Sequence, residues 1–284
     1  MNYITILMYC ADQKGIIAAV TNFIHQKEGN ITYIDQYVDR PNGAFFMRVE
    51  CDFIGDSFNL NKFKKNFNDE IGNSFSLHCD FYLKGQKPRM AVFVSKYDHC
   101  LYDILAKQQS GELAAEIPFI LSNHSDLEII AKRFEIPFYH IPVSKENKAD
   151  AENMQLVLLQ ENKVDFIVLA RYMQIVSSKL INQFNQKIIN IHHSFLPAFP
   201  GAKPYHSAFN RGVKIIGATS HYVTEELDAG PIIEQDISRV SHLNSIADFI
   251  EKGRDLERIV LLRALKLHVN RKVMVYGNKT VVFS

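Results

Sequence analysis

Hydrophobic and polar positions along this 284-residue chain change rhythm near residue 85, and the two rhythms predict two architectures. Before that point, Tyr3 to Cys10 reads as a strand ending at the polar turn Ala11-Asp12-Gln13-Lys14-Gly15. Ile16, Val20, Phe23 and Ile24 then recur at helical spacing until Gly29-Asn30. Two period-two segments, Ile31 to Asp39 and Ala44 to Asp52, flank Arg40-Pro41-Asn42-Gly43, a hairpin signal. Leu60, Phe63, Phe67 and Ile71 give Asn59 to Ile71 one apolar helical face, and Ser74 to Leu83 returns as a strand. The order βαββαβ predicts a ferredoxin-like split-βαβ unit over residues 1–84.

Residues 85–88, Gly85-Gln86-Lys87-Pro88, read as a short polar linker. Beyond it, strands are expected at Arg89 to Ser95, Glu116 to Ser122, Pro137 to Pro142, Asp165 to Ala170 and Lys187 to Ile191. Helices are expected between them at Leu101 to Ser110, Leu127 to Phe134, Ala149 to Glu161 and Ser178 to Phe184. Continuous apolar runs suit strands buried on both faces, so residues 89–284 are expected to form a Rossmann-like, mostly parallel open α/β sheet. Ligands of such sheets bind at the C-terminal ends of the strands. A longer strand, Lys214 to Val223, a helix, Ile246 to Val269, and a closing hairpin, Val273 to Phe283, complete the expected elements.

Composition excludes more than it identifies. A formal charge of +1 gives no electrostatic reason to expect nucleic acid as a partner. No apolar run has the length of a membrane span, and the N-terminus lacks the basic start and small-residue cleavage site of a secretory signal. Cys10, Cys51, Cys79 and Cys100 lie far apart with no paired spacing, which reads as reduced thiols in a cytoplasmic protein rather than a zinc site or a disulfide framework.

The chemistry concentrates between Asn190 and Pro231. Residues two apart on a strand face the same way, so Asn190 and His192 point together, roughly 7 Å apart, with His193 on the opposite face. Pro197, Pro200 and Gly201 then force an irregular loop. Asp228 precedes the turn Ala229-Gly230-Pro231, which can aim a carboxylate back at the imidazole. An amide donor, an imidazole and a carboxylate suit acyl transfer without a protein nucleophile. Taken singly, Asn190 can cap a loop, His192 can be a satisfied core histidine and Asp228 can stabilise a turn. The paired histidines, facing opposite ways, cannot converge on one ion, so no metal is expected.

Two resemblances add to this reading. Residues 3–83, with Asp12-Gln13-Lys14-Gly15-Ile16 and Gly29-Asn30-Ile31, resemble an ACT domain, a module that binds amino acids at a subunit interface. This implies an effector such as glycine or methionine near Asp12, Gly15, Asn30 and Ile31, and a homo-oligomer, dimer or tetramer. The other reading is a tight turn in a unit that only dimerises. Residues 89 to about 270 resemble the folate-dependent formyltransferases. The residues that carry this resemblance are Asn190-Ile191-His192, Ser194 to Pro197, Pro200-Gly201, Gly217 to His221, Thr224 and Leu227 to Pro231. It implies that Asn190, His192 and Asp228 act on 10-formyltetrahydrofolate as substrate, with no further cofactor. It also implies a folate pocket beside Arg171-Tyr172, formed by Met173, Gln174, Ile175, Val176, Thr224, Glu225 and Glu226. Apart from the resemblance, His193, facing away from His192, reads as a supporting contact, and His221, on a strand close in sequence to the Asp228 loop, as a support of the catalytic residues. The turn Ser95-Lys96-Tyr97-Asp98-His99-Cys100 has no glycine and carries a carboxylate, unlike the phosphate-holding turn of the transferases. Water is therefore the expected acceptor. The whole chain resembles the deformylase branch, which hydrolyses 10-formyltetrahydrofolate to formate and tetrahydrofolate, supplies formate for purine synthesis and balances one-carbon folate pools. A phosphoribosylglycinamide formyltransferase, an initiator-tRNA formyltransferase and an ACT-type amino-acid-binding regulator remain as other readings.

Overall fold

The computed structural model describes residues 2–54, 58–197 and 204–284. Two compact units emerge: the chain through Gln86 with Arg271–Met274 and Val281–Ser284, and Lys87–Asn270 with Val275–Thr280.

The first unit runs β1 (Asn2–Ala11), α1 (Ile16–Gln26), β2 (Gly29–Asp39), β3 (Ala44–Phe53), α2 (Leu60–Phe67), α3 (Asn73–Phe75) and β4 (His78–Leu83). Its sheet has the order β2-β3-β1-β4, and each neighbouring pair is antiparallel. Alternation gives the sheet its buried face: Ile4, Ile6, Met8 and Cys10 of β1 join Val20, Phe23 and Ile24 of α1 in one core. Phe23 and Phe81 meet Phe67 edge-on, with centroids 5.2 and 5.3 Å away, an arrangement aromatic quadrupoles favour. The strand expected from Ser74 starts only at His78, because the helical stretch continues through a π turn at Asn68–Gly72 into α3. Keeping Ile71 on the apolar face extends the helix, and Ser76, at φ 52°, ends it.

The second unit comprises β5 (Met90–Val94), α4 (His99–Gln109), β6 (Ile120–Ser122), α5 (Glu128–Arg133), β7 (Phe138–His140), α6 (Lys148–Glu161), β8 (Phe166–Leu169), α7 (Ser178–Gln183), β9 (Ile188–His192), α8 (Pro204–Arg211), β10 (Ile215–Tyr222), β11 (Ile232–Arg239) and α9 (Ile246–Val269). The sheet order is β11-β10-β9-β8-β5-β6-β7. Strands β9 through β7 in that order are parallel, whereas β10 is antiparallel to β9 and β11 to β10. Every residue of β5 and β8 is buried, as apolar runs require when helices cover both faces. Strand β11 was not among the expected elements: IIEQDISR has only a weak alternation and stands at the sheet edge. The C-terminal hairpin pairs β12 (Val273–Tyr276) with β13 (Lys279–Val282). Helix α9 opens with a reciprocal cap, Ser245 N–H donating to Asp248 at 2.6 Å and Asp248 N–H to the Ser245 hydroxyl at 3.3 Å.

Candidate active site

Strand β9 delivers the central pair. Asn190 and His192 share one face, and the antiparallel neighbour β10 sets His221 opposite Asn190 and Thr219 opposite His192. A bulge between Ser220 and His221 in the pairing with β11 falls at this point, where such irregularities re-aim a side chain. The Asn190 amide nitrogen and His221 Nε2 are 3.2 Å apart, while His221 Nδ1 donates to the Tyr222 carbonyl at 3.0 Å. Asp228, in a left-handed turn at φ 56°, brings Oδ2 to 3.2 Å from His192 Nδ1 and Oδ1 to 3.7 Å from His221 Nε2. Burial opposes ionisation of this carboxyl, but the hydrogen bond from His192 and the charge that His192 and His221 carry when protonated outweigh it and hold Asp228 ionised well below the usual carboxylate range.

These side chains line a cavity of about 390 Å³. Met173, Gln174, Ile175, Val176, Thr224 and Glu225 line it too, as do Arg171 and Leu227. Glu226 does not; it is exposed, and its carbonyl accepts the Thr224 hydroxyl at 3.1 Å. Ile175 is 61% exposed and Leu227 64%, apolar side chains standing free at a cavity rim. The Ser95 hydroxyl orients that rim by accepting Met173 N–H at 2.9 Å and donating to Asn123 at 2.6 Å. Pro200 and Gly201 lie outside the described residues.

His193 corrects the alternation argument. Strand β9 ends at His192, so the period of two no longer applies, and the His192 and His193 rings stack at 5.2 Å with planes 18° apart. Both line the cavity. Arg171, itself at φ 63°, hydrogen-bonds His193 Nδ1. Burial, then the Arg171 charge, pushes the His193 imidazole down to about 3.

Behind His193 lies a network that strand and helix patterns do not announce. Glu257 of α9 is 1% exposed and accepts His99 Nε2–H at 2.8 Å and the Tyr205 hydroxyl at 2.6 Å, with Arg171 Nε at 3.4 Å. Burial resists its charge, but His99, Arg171 and Tyr205 together hold it ionised below the usual range. Gly253, one turn before Glu257, makes this possible: a Cβ there would stand 2.1 Å from the Tyr205 ring. The one available signal was an acid inside the apolar stripe of Phe249, Leu256, Val260 and Leu261. Among the described residues, His99, Cys100 and Glu257 have the spacing of a metal site. The set does not fit an ion: both Glu257 oxygens are taken, and burial and Glu257 push the Cys100 thiol up.

The expected effector residues divide between two places in the first unit. Gly15, at φ 93°, caps α1 beside exposed Asp12 at one end of the sheet. Asn30 and Ile31 begin β2 at the other, Asn30 donating to Asp52 at 3.4 Å. Ala11 pairs with Ala44 and Asn30 with Asp52, so eight residues of β3 separate the two levels, about 27 Å at strand rise.

Known proteins reproduce both units in the same order. Residues 4–67 match the ACT domain family and residues 88–265 the formyl transferase family. The chain is 50% identical over 281 residues to a formyltetrahydrofolate deformylase from Synechocystis sp., covering 99% of this chain and 98% of that one. The crystal structure of a formyltetrahydrofolate deformylase from Pseudomonas syringae pv. tomato superposes with a TM-score of 0.97 at 45% identity, covering 100% of this chain and 95% of the other. Glycinamide ribonucleotide transformylase 1 from Symbiobacterium toebii superposes with a TM-score of 0.66 at 28% identity and covers 72% of this chain and 97% of its own. It is the full-length agreement, with the ACT unit included, that separates the first two from the third, and by it the chain belongs to the formyltetrahydrofolate deformylase family.

Proposed function

We propose that the chain hydrolyses 10-formyltetrahydrofolate to formate and tetrahydrofolate, and that Asn190, His192 and Asp228 carry the reaction. The observation that carries the assignment of residues is the Asp228 carboxylate held between His192 and His221, beside Asn190 in one cavity. Asp228 accepts His192 Nδ1–H, which leaves Nε2 to take a proton from water as it attacks the formyl carbon. The Asn190 amide nitrogen has two N–H groups, and the one not used by His221 is suited to the developing oxyanion. The imidazolium then returns its proton to the departing nitrogen. Met173, Ile175 and Val176 offer an apolar wall for the pterin, with Gln174, Thr224 and Glu225 beside it. The chemistry requires no metal or further cofactor.

Water as acceptor is supported by the turn after β5. It has no glycine to let the backbone close around a phosphate, it carries the Asp98 carboxylate, and the Tyr97 ring is covered by the Arg171 guanidinium 4.7 Å from its centroid. Incubation with 10-formyltetrahydrofolate and no acceptor tests the assignment: formate release at catalytic rate is expected, and its absence refutes it. In a cell this activity supplies formate for purine synthesis and sets one-carbon folate pools, in the cytoplasm. Among the described residues no helix is long and apolar enough to cross a membrane.

The ACT unit is read as the regulatory part. An amino acid such as glycine or methionine is far shorter than the separation of Gly15 from Asn30. A site that uses both must be built from two copies, which supports a homo-oligomer.

A further inference from the structure

His192 and His193 present a pair of buried ring nitrogens with nothing to bond. Among the described residues, the Nε2 atoms of both lack a hydrogen-bond partner. The rings are 6% and 7% exposed, stack on one another and line the same cavity. Orphan atoms of this kind on two stacked rings are costly unless substrate or water completes them.

Their other nitrogens determine what each can offer. Asp228 is ionised and can only accept, so His192 Nδ1 carries a proton, and in the neutral imidazole Nε2 is then the nitrogen with the lone pair. Arg171 can only donate, so His193 Nδ1 carries the lone pair and its Nε2 bears the proton. Glu257 holds Arg171 in place from behind, and Tyr205, packed 5.9 Å from the His193 ring, is anchored to the same carboxylate. The two imidazoles are therefore opposite tautomers, one acceptor and one donor side by side.

We propose that this pair is a clamp for the hydrolytic water: His193 Nε2–H donates to the water oxygen while the water donates to His192 Nε2. The inference rests on the hydrolase reading above. His193 becomes a catalytic residue in contact with the nucleophile, and Arg171 and Glu257 positioning residues that set its tautomer. In the attack, the water oxygen bonds to the formyl carbon as its proton passes to His192 Nε2. Collapse breaks the carbon–nitrogen bond, and the same proton moves from His192 to the departing nitrogen. Formic acid then releases its remaining proton to solvent, so that one water and one formamide give one amine, formate and a proton. The clamp accounts for the choice of water over an amine. A donor aimed at the nucleophile suits an oxygen with a spare lone pair, whereas an attacking amine has only the one lone pair it must use.

Two measurements test it. In the full-length protein labelled with nitrogen-15 histidine, His192 is expected as the Nδ1–H tautomer and His193 as Nε2–H; the same tautomer at both positions overturns the clamp. In His193→Ala, formate release is expected to fall about tenfold to a hundredfold, the scale of one positioned catalytic hydrogen bond, with KM for the folate within about threefold of wild type. His193→Gln, whose amide N–H reaches a similar place, is expected to recover at least part of the rate. Hydroxylamine, supplied as a competing nucleophile, is expected to rescue folate consumption in His193→Ala as formohydroxamate. Equal loss of the water and hydroxylamine reactions, or no gain in His193→Gln over His193→Ala, would place the defect elsewhere and sink the proposal. Failure of the wild-type protein to release formate would instead sink the hydrolase reading, while the tautomer measurement would still judge the pair.

Discussion

Replacing Asp228 with Asn removes one charge and almost no volume, which isolates what the carboxylate does for His192. In the resting site the carboxylate stands 3.2 Å from Nδ1 and is half-buried. During attack the imidazole gains a full positive charge, and two unit charges about 4 Å apart interact by roughly 4 kcal/mol at the effective dielectric of such sites. Partial exposure of Asp228 lowers this, and the asparagine carbonyl still accepts Nδ1–H, so roughly 3 kcal/mol of transition-state stabilisation should disappear. At 1.36 kcal/mol per decade this is about a hundredfold in kcat. KM should change little, because the neutral imidazole of the ground state needs the charge least. The assay is formate release from 10-formyltetrahydrofolate, with circular dichroism to establish that the variant is folded. A folded Asp228→Asn within about fivefold of wild type would refute the claim that this carboxylate stabilises charge on His192.

Other expectations follow from the same geometry. His192→Ala should also lose at least about a hundredfold in turnover with a native circular dichroism spectrum; near-normal turnover removes His192 from the mechanism. Adding glycinamide ribonucleotide should leave folate consumption unchanged, and formylated ribonucleotide in place of formate would show an amine acceptor instead. His193 is held neutral down to about 3 in the fold, against about 6.5 in an unfolded chain. A depressed value means its contribution to stability is whole above pH 6.5 and is lost progressively as pH falls toward 3. Urea titrations should therefore show His193→Gln losing less stability than wild type between pH 6.5 and about 4. Parallel pH dependence in the two proteins would contradict a buried neutral imidazole.

Local periodicity made much of this arrangement legible. Asn190 and His192 were found together because strand alternation is a property of neighbouring residues, and α9 was found over Ile246 to Val269 because its apolar stripe and Ser245-to-Asp248 cap are written locally. What escaped depends on where strands end and which strands pair. One residue past the end of β9, His193 turned toward the ring it was expected to avoid. The position of His221 opposite Asn190 needs the antiparallel pairing of β10 with β9, which no local pattern records. Glu257 meets Arg171, Tyr205 and His99 across four separate elements and loops, contacts made by the tertiary fold alone.

The separation of Gly15 from Asn30 along the first sheet has a genetic consequence. If an effector bridges the two ends across copies, each site takes one end from either chain, and a lesion at either end disables both sites of a homodimer. Two such defective chains can nevertheless cure one another. In a mixture of Gly15→Val and Asn30→Ala, each mixed dimer joins the sound turn of one chain to the sound strand of the other. Its second site carries both lesions. Random assembly of equal amounts then restores about a quarter of the effector sites, a count that follows from two-fold symmetry alone. Interallelic complementation of effector response, with neither parent responding, is a signature that a site contained in one chain cannot produce.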